Sequence, residues 1–325
     1  MRRLRHQPFA LLPLVLAFHS SFCSNATTSQ NFESKNDTNG NATCKKDPKD
    51  LSYRIALIII YTLVLLVGTI GVSLMINVLK SNLRSWTTIT FFNLILVHVI
   101  FMVTIPFRIY YYITDCWNLS PTFCKVVSSM IHLHMHVVFV IYVIILTMHF
   151  LHYFKKVGQM EFYRSLHAMG FSIGIWTLVI IVGPVVLAHY GTNTTGGDYK
   201  CFHFGKELNN TAVLGCNIFL SVGTIILSCI VSFMLAVILY SMIKKYGASS
   251  WAQQEFWAQM KNVSLVLIIL FCLAPYHLYR LYYLKMYTSE EKEMENEVFL
   301  AITSLTCFDM MFVFAGKGIC HRCGG

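Results

Sequence analysis

Long apolar runs separated by short polar ones dominate the chain from Arg54 onward, and they leave few folds open. The runs cover residues 55–79, 88–112, 124–152, 167–189, 212–242, 261–287 and 297–315. Each reaches or approaches the roughly 20 residues that a helix needs to cross a ~30 Å hydrocarbon core at about 1.5 Å per residue. The expected fold class is therefore all-α, an integral membrane bundle of seven transmembrane helices with its termini on opposite sides. Composition agrees: 56% of the 325 residues are apolar, 12% are charged and the mean hydropathy is +0.58. A soluble domain has about 45–50% and about 25% instead. No repeat relates the two halves, which weighs against many transporter folds.

Two independent features orient the bundle. The loops 80–87, 153–166 and 243–260, with Lys261 and the tail, hold ten basic residues against Glu161 and Glu255, so the positive-inside rule places that side in the cytosol. The glycosylation triplets at Asn118, Asn193 and Asn209 lie on the opposite side. Both give an extracellular N-terminus and a cytosolic C-terminus. Asn262 also fits the triplet but sits at the cytosolic edge of the sixth span, where it should stay unmodified. The net charge of +10 thus reads as topology, and no nucleic acid is implied.

The flanks fit this orientation. Arg2, Arg3 and Arg5 precede an apolar run from Phe9 to Phe18, too short to span but right for a secretory signal peptide over 1–23. Residues 24–53 have almost nothing to bury and carry Asn25, Asn36 and Asn41 in glycosylation triplets, so a solvated, disordered extracellular tail is expected. A seven-helix transmembrane domain over 54–315 follows, and 316–325 reads as a short cytosolic tail with no eighth helix.

Eleven cysteines sit in a chain whose outer face permits disulfides. Cys124 opens the third span on that face and Cys201 lies in the outer loop after the fourth, so a bridge between them would pin the loop over the bundle mouth. Cys44 and Cys116 are also outside and can pair, but spacing does not fix connectivity. Cys216, Cys229, Cys272 and Cys307 read as packing residues within spans. Cys320 and Cys323 have zinc-like spacing without a second ligand pair, and read rather as a juxtamembrane acylation site or as residues with no special role.

Chemistry of other kinds finds little support. The chain has no HExxH, phosphate loop or GxSxG, so no enzyme and no cofactor are expected. His132 and His136 share a helix face, but two ligands do not complete a metal site, and polar packing is the default for His132, His134 and His136. Trp251, Phe256 and Trp257 read as interfacial anchors in contact with membrane lipid.

The tail, the seven spans, the Cys124 and Cys201 pair, Trp176 in the fourth span and Pro275 in FCLAPYHLYR resemble the rhodopsin-like G protein-coupled receptors. TIPFR ending at Arg108, PYHLYR from Pro275 to Arg280, and Asp309 resemble the branch with the nucleotide and nucleotide-sugar receptors. NLILVHVIF, HMHVVFVIYVIIL, EFYRSLHA and QEFWAQMKN are similar to an orphan within it. The resemblance implies an extracellular ligand and a heterotrimeric G protein as partners. It also implies a plasma-membrane location. Many relatives hold a sodium ion between two interior carboxylates; by the resemblance His98 and Asp309 face each other there, and with His98 in place of one carboxylate to neutralise Asp309 no sodium effect is expected.

Switch positions depart from the family pattern. Val72 follows Gly71 where Asn is usual, Met148-His149-Phe150 stands for Asp-Arg-Tyr, Leu273 replaces the aromatic two places before Pro275, and Asp309 begins Asp-Met-Met-Phe-Val instead of Asp-Pro-x-x-Tyr. No proline interrupts the fifth span. A non-signalling or decoy seven-helix protein is therefore the alternative function, and a transporter or channel a further one.

The ligand pocket is expected at the outer end, because intramembrane charges are usually functional. Arg108 and Arg280 are the candidates, with Tyr276 and His277 beside the latter. An anionic small molecule or lipid fits two guanidiniums and an imidazole. The competing reading pairs the arginines with Asp115, Glu297 or lipid headgroups. Ser128 stands where nucleotide receptors carry a further basic residue.

Overall fold

A computed structural model describes residues 51–79, 86–155, 169–181, 201–202, 208, 210–247, 254–286 and 289–311. Among them every regular element is helical: α1 (Leu51–Leu79), α2 (Trp86–Thr114), α3 (Pro121–Lys155), α4 (Met169–Ile181) and α5 (Thr211–Tyr246). The sixth crossing is α6 (Gln254–Ile268), a π turn (Ile269–Leu273) and α7 (Ala274–Tyr283) in series. The seventh begins as α8 (Glu290–Thr303) and tightens into a 3-10 turn (Ser304–Phe308). Among the described residues five spans, Leu51–Asn77, Thr88–Thr114, Pro121–Leu151, Thr211–Tyr246 and Gln259–Tyr283, are long and apolar enough to cross a membrane. The expected signal peptide, Asn25, Asn36, Asn41, Cys44, Asn193, Asn209, Trp251 and the 316–325 tail lie outside the described residues.

Helix bounds differ from the hydropathy bounds for local reasons. The helix of the last crossing starts at Glu290, ahead of the apolar span expected from 297, because Glu290, Glu291 and Glu293 occupy the first turn, where a helix dipole favours acids that hydropathy counts against a span. α5 starts where the Asn210 side chain accepts the Ala212 N–H at 3.0 Å, and stops at Gly247, whose φ of 54° lets its N–H return to the Ile243 carbonyl. Pro275 cannot donate an amide hydrogen, and the π turn precedes it: the Ala274 N–H reaches back to the Ile269 carbonyl.

α5 is apolar all round, so its inward face is set by side-chain size. Ser221, Thr224, Ser228, Val231, Leu235, Ile238 and Met242 are buried at alternating three- and four-residue steps. Thr224 and Ser228 return their hydroxyls to carbonyls one turn back at 2.8 and 2.7 Å, which satisfies them without water. Phe219, Ile226, Ile230 and Phe233 point outward, as a lipid-facing surface requires. α4 is held to α2 by Trp176, whose indole N–H donates to Asn93 Oδ1 at 3.0 Å, while the Asn93 amide also donates to Ser172. Phe256, expected at the membrane interface, is instead 3% exposed and packs into the core. The side chain of Trp257 lies outside the described residues.

Helix α1 packs against α2 and the 3-10 turn, and two glycines permit the approach. A Cβ on Gly71 would lie 2.9 Å from Met310 Cβ, too close to backbone to be relieved by rotation. On Gly68 it would lie 2.8 Å from Met102 Sδ, the flexible end of a side chain. Gly71→Ala should therefore destabilise the bundle by about 1–3 kcal/mol and Gly68→Ala by less. Thermal unfolding of the two variants in one detergent checks the order, and equal losses would contradict it.

Candidate functional site

At one end of the bundle Cys124 and Cys201 form a disulfide with a Cα–Cα distance of 5.9 Å. Cys116 is disulfide-bonded as well. The Cys124–Cys201 bond delivers Phe202, held at φ 71°, into the helix bundle, where it is 2% exposed. Its ring stacks edge-on against Tyr111 and lies 4.5 Å from the Arg108 guanidinium carbon.

Arg108 is fully enclosed. Its Nη2 donates to the carbonyls of Val127 and Ser128 at 2.9 and 3.1 Å, and its Nη1 to the Tyr61 hydroxyl at 3.3 Å. These contacts tie α2 to α3 and α1. The acids proposed to neutralise it are engaged elsewhere: Asp115 pairs with Arg54 at 2.7 Å, and Glu297 accepts hydrogen bonds from Tyr53 and Tyr112. Tyr112 in turn stacks on Tyr61 with ring centroids 6.0 Å apart, so the cation and the acid share an aromatic wall without an ion pair. At the rim Lys292 and Tyr279 hydrogen-bond to Glu295 and hold its carboxyl below the usual carboxylate range.

Arg280 is different, although it is only 2% exposed. Nη2 donates to Asn217 Oδ1 on α5 at 3.1 Å, and Tyr283 lies 5.2 Å beneath the guanidinium. Its Nε and Nη1 have no hydrogen-bond partner among the described residues, and neither have the Tyr283 hydroxyl and His136 Nε2. His277, one turn back on α7, lies 3.4 Å from Ser221 Oγ and has its ring 5.8 Å from that of His136. Tyr276 packs between His277 and His132. The two arginines have separate partners: Arg280 lies in a cluster of α3, α5 and α7, and Arg108 bonds to α1 and α3 from α2.

Midway along the bundle His98 on α2 lies 3.3 Å from the Asp309 carboxylate, and Tyr142 donates to the same oxygen at 2.6 Å. His98 also reaches His134 at 2.9 Å and the Cys307 thiol at 3.3 Å. Cys307 is thus part of a polar cluster and not the packing residue expected. His136 Nδ1 faces the His132 carbonyl one turn back on α3 at 2.8 Å. Sequence spacing offered no sign of the His98, His134 and Cys307 grouping, because the three come from separate crossings. Leu273 is fully buried in the π turn, Pro275 is half-buried at the start of α7, and His149 is half-buried near the far end of α3.

Comparison with known proteins places this geometry. The family described as "7 transmembrane receptor (rhodopsin family)" matches residues 70–312. The human Probable G-protein coupled receptor 141 is 39% identical over 288 residues, covering 86% of this chain and 93% of that receptor. The chimpanzee Probable G-protein coupled receptor 34 is 23% identical over 84% of this chain and 74% of its own length. G-protein coupled receptor 183 of Atlantic salmon is 24% identical over 82% and 77% respectively. A buried disulfide-tethered Phe202, the Asn93–Trp176 clasp and a proline-broken sixth crossing thus occur in a sequence that matches one family over most of its length. The chain belongs to the rhodopsin family of seven-transmembrane G protein-coupled receptors, as an orphan whose ligand is unknown.

Proposed function

We propose that this receptor sits in the plasma membrane with its disulfide end outside, binds an anionic ligand there through Arg280, and passes the signal to a heterotrimeric G protein at the opposite end. The observation that carries the ligand reading is the buried Arg280, with Nε and Nη1 unpartnered among the described residues beside the equally unpartnered Tyr283 hydroxyl and His136 Nε2. Leaving such groups unmatched costs more than matching them, and a carboxylate or phosphate oxygen supplies what an arginine fork and a phenol lack. Tyr276 and His277 form the adjoining wall. Arg108 supports the pocket from behind without reaching the ligand.

Orientation and processing follow the distribution of charge and glycosylation triplets. Residues 1–23 act as a signal peptide, 24–53 as a glycosylated tail, 54–315 as the receptor domain and 316–325 as a cytosolic tail. Asn118 is exposed and suited to carry a glycan, as are Asn25, Asn36, Asn41, Asn193 and Asn209 by sequence. Asn262 is 2% exposed and donates to Gln259 Oε1 at 2.8 Å, which supports its remaining unmodified.

The ligand class is tested by G protein activation in cells exposed to lysophosphatidate, an N-acyl glycine, a nucleoside diphosphate and neutral monoacylglycerol. An anionic member should activate and monoacylglycerol should not. Arg280→Gln should reduce the potency of the active member roughly 10- to 100-fold, the equivalent of one charge-assisted hydrogen bond of about 1.5–3 kcal/mol. Activation by monoacylglycerol that is insensitive to Arg280→Gln would reject the reading.

A further inference from the structure

The polar cluster at mid-membrane has the donor set and spacing of a metal centre. His98, His134 and Cys307 are 0%, 2% and 1% exposed, and one ligand atom from each lies within 4.8 Å of the others. His98 Nδ1 is 2.9 Å from His134 Nε2 and 3.3 Å from Cys307 Sγ, and that sulfur is 3.8 Å from His134 Nε2. Around a tetrahedral zinc ion, with Zn–N of about 2.05 Å and Zn–S of about 2.3 Å, two nitrogens sit roughly 3.3 Å apart and a nitrogen and sulfur roughly 3.6 Å. The three atoms differ from that triangle by a few tenths of an ångström.

The surroundings fit as well. A histidine that ligates through one ring nitrogen commonly donates its other N–H to a carboxylate, which fixes the tautomer. His98 Nε2 lies 3.3 Å from Asp309 Oδ2, so its Nδ1 lone pair is left facing His134 and Cys307. Tyr142 donates to the same carboxylate oxygen at 2.6 Å and holds it in place. His134 stacks on Phe101 at 4.2 Å, and its Nδ1 has no hydrogen-bond partner among the described residues.

Charge separates zinc from its competitors. Loss of one proton from the Cys307 thiol on binding gives a thiolate, and with the Asp309 carboxylate one shell out it brings two negative charges to a divalent ion. The sum is zero, which a membrane interior requires far more strictly than water does. A monovalent hard ion prefers oxygen to this nitrogen and sulfur set.

We propose that His98, His134 and Cys307 bind one zinc-class divalent ion, oriented by Asp309, and that the ion clamps α2 and α3 to the seventh crossing. The site lies apart from the Arg280 cluster and does not depend on the ligand reading given for it.

Cobalt titration of the full chain, purified in detergent with a chelator that is then removed, tests this. About one equivalent of Co²⁺ should bind, with thiolate-to-cobalt charge-transfer absorption and intense tetrahedral visible bands that Zn²⁺ displaces. Cys307→Ser should lose the charge-transfer band and His134→Gln should lower the affinity for cobalt at least tenfold. A control lacking Cys320 and Cys323 should keep the signal. Should Cys307→Ser not fold, the titration of the unmodified chain and of His134→Gln still decides. Absence of the band in folded, disulfide-bonded unmodified protein would overturn the proposal. So would a band that survives both pocket substitutions and vanishes with Cys320 and Cys323.

Discussion

Arg108→Met should abolish surface delivery, while Arg280→Gln should leave it intact and weaken the ligand response. Both arginines are buried, at 0% and 2% exposure, so burial alone does not separate them. Partners do. Arg108 donates to two α3 carbonyls and a tyrosine and lies against Phe202, with Nε its one nitrogen unpartnered among the described residues, so its removal breaks a joint between α1, α2 and α3. Charge-assisted hydrogen bonds at about 1.5–3 kcal/mol each, partly offset by no longer burying a cation, put the loss at roughly 2–4 kcal/mol. That is a large fraction of the stability of an ordinary domain. Arg280 has one partner, Asn217, and two nitrogens free of any among the described residues, so an amide in its place disturbs the fold little. Surface immunolabelling of intact cells, normalised to total receptor, checks the contrast. Loss of both variants from the surface, or of neither, would contradict it.

Cys124→Ser and Cys201→Ser should each reduce surface receptor several-fold, and by equal amounts. The bond joins residues 77 apart in sequence, and a free chain closed over that length would lose about 4–5 kcal/mol of unfolded-state entropy. Spans already inserted by their hydropathy are not a free chain, so about 2–4 kcal/mol is the better figure. The larger consequence is positional. Without the bridge Phe202 loses its covalent tether over Arg108, and the aromatic group of Tyr111, Trp117 and Phe202 is loosened. If both single variants reach the surface and respond normally, the bridge has no such role.

Hydropathy made the spans legible because lipid leaves a helix few alternatives, and the described helices overlap all seven. It left out the first turns of α8, where glutamates stabilise a helix terminus while lowering mean hydropathy. It also put Phe256 at the interface, since an aromatic near a span end looks the same whether it faces headgroups or a neighbouring helix. Residue type flagged Arg108 and Arg280 equally. Only the placement of the Val127 and Ser128 carbonyls distinguishes a structural cation from one that is still unmatched. Family resemblance set His98 against Asp309, yet the third side of that cluster, His134 with Cys307, needed the relative rotation of α3 and the seventh crossing.

The inner end raises the central question of whether this receptor drives a G protein. We propose from the family resemblance that His149 stands at the place of the arginine that relatives extend into the G protein, where Met148 cannot form the ion pair that restrains it. Imidazole offers at most two donors where guanidinium offers five, so the contacts that make opening productive are weakened more than the resting state is loosened. Nucleotide exchange on a purified heterotrimer, catalysed by the full chain reconstituted in nanodiscs, measures this directly. Exchange should be slow but above that of the G protein alone, and His149→Arg should raise it several-fold at equal receptor concentration. No catalysed exchange by either form would contradict a signalling receptor and favour a non-signalling one, while fast exchange unchanged by His149→Arg would contradict the role given to that position.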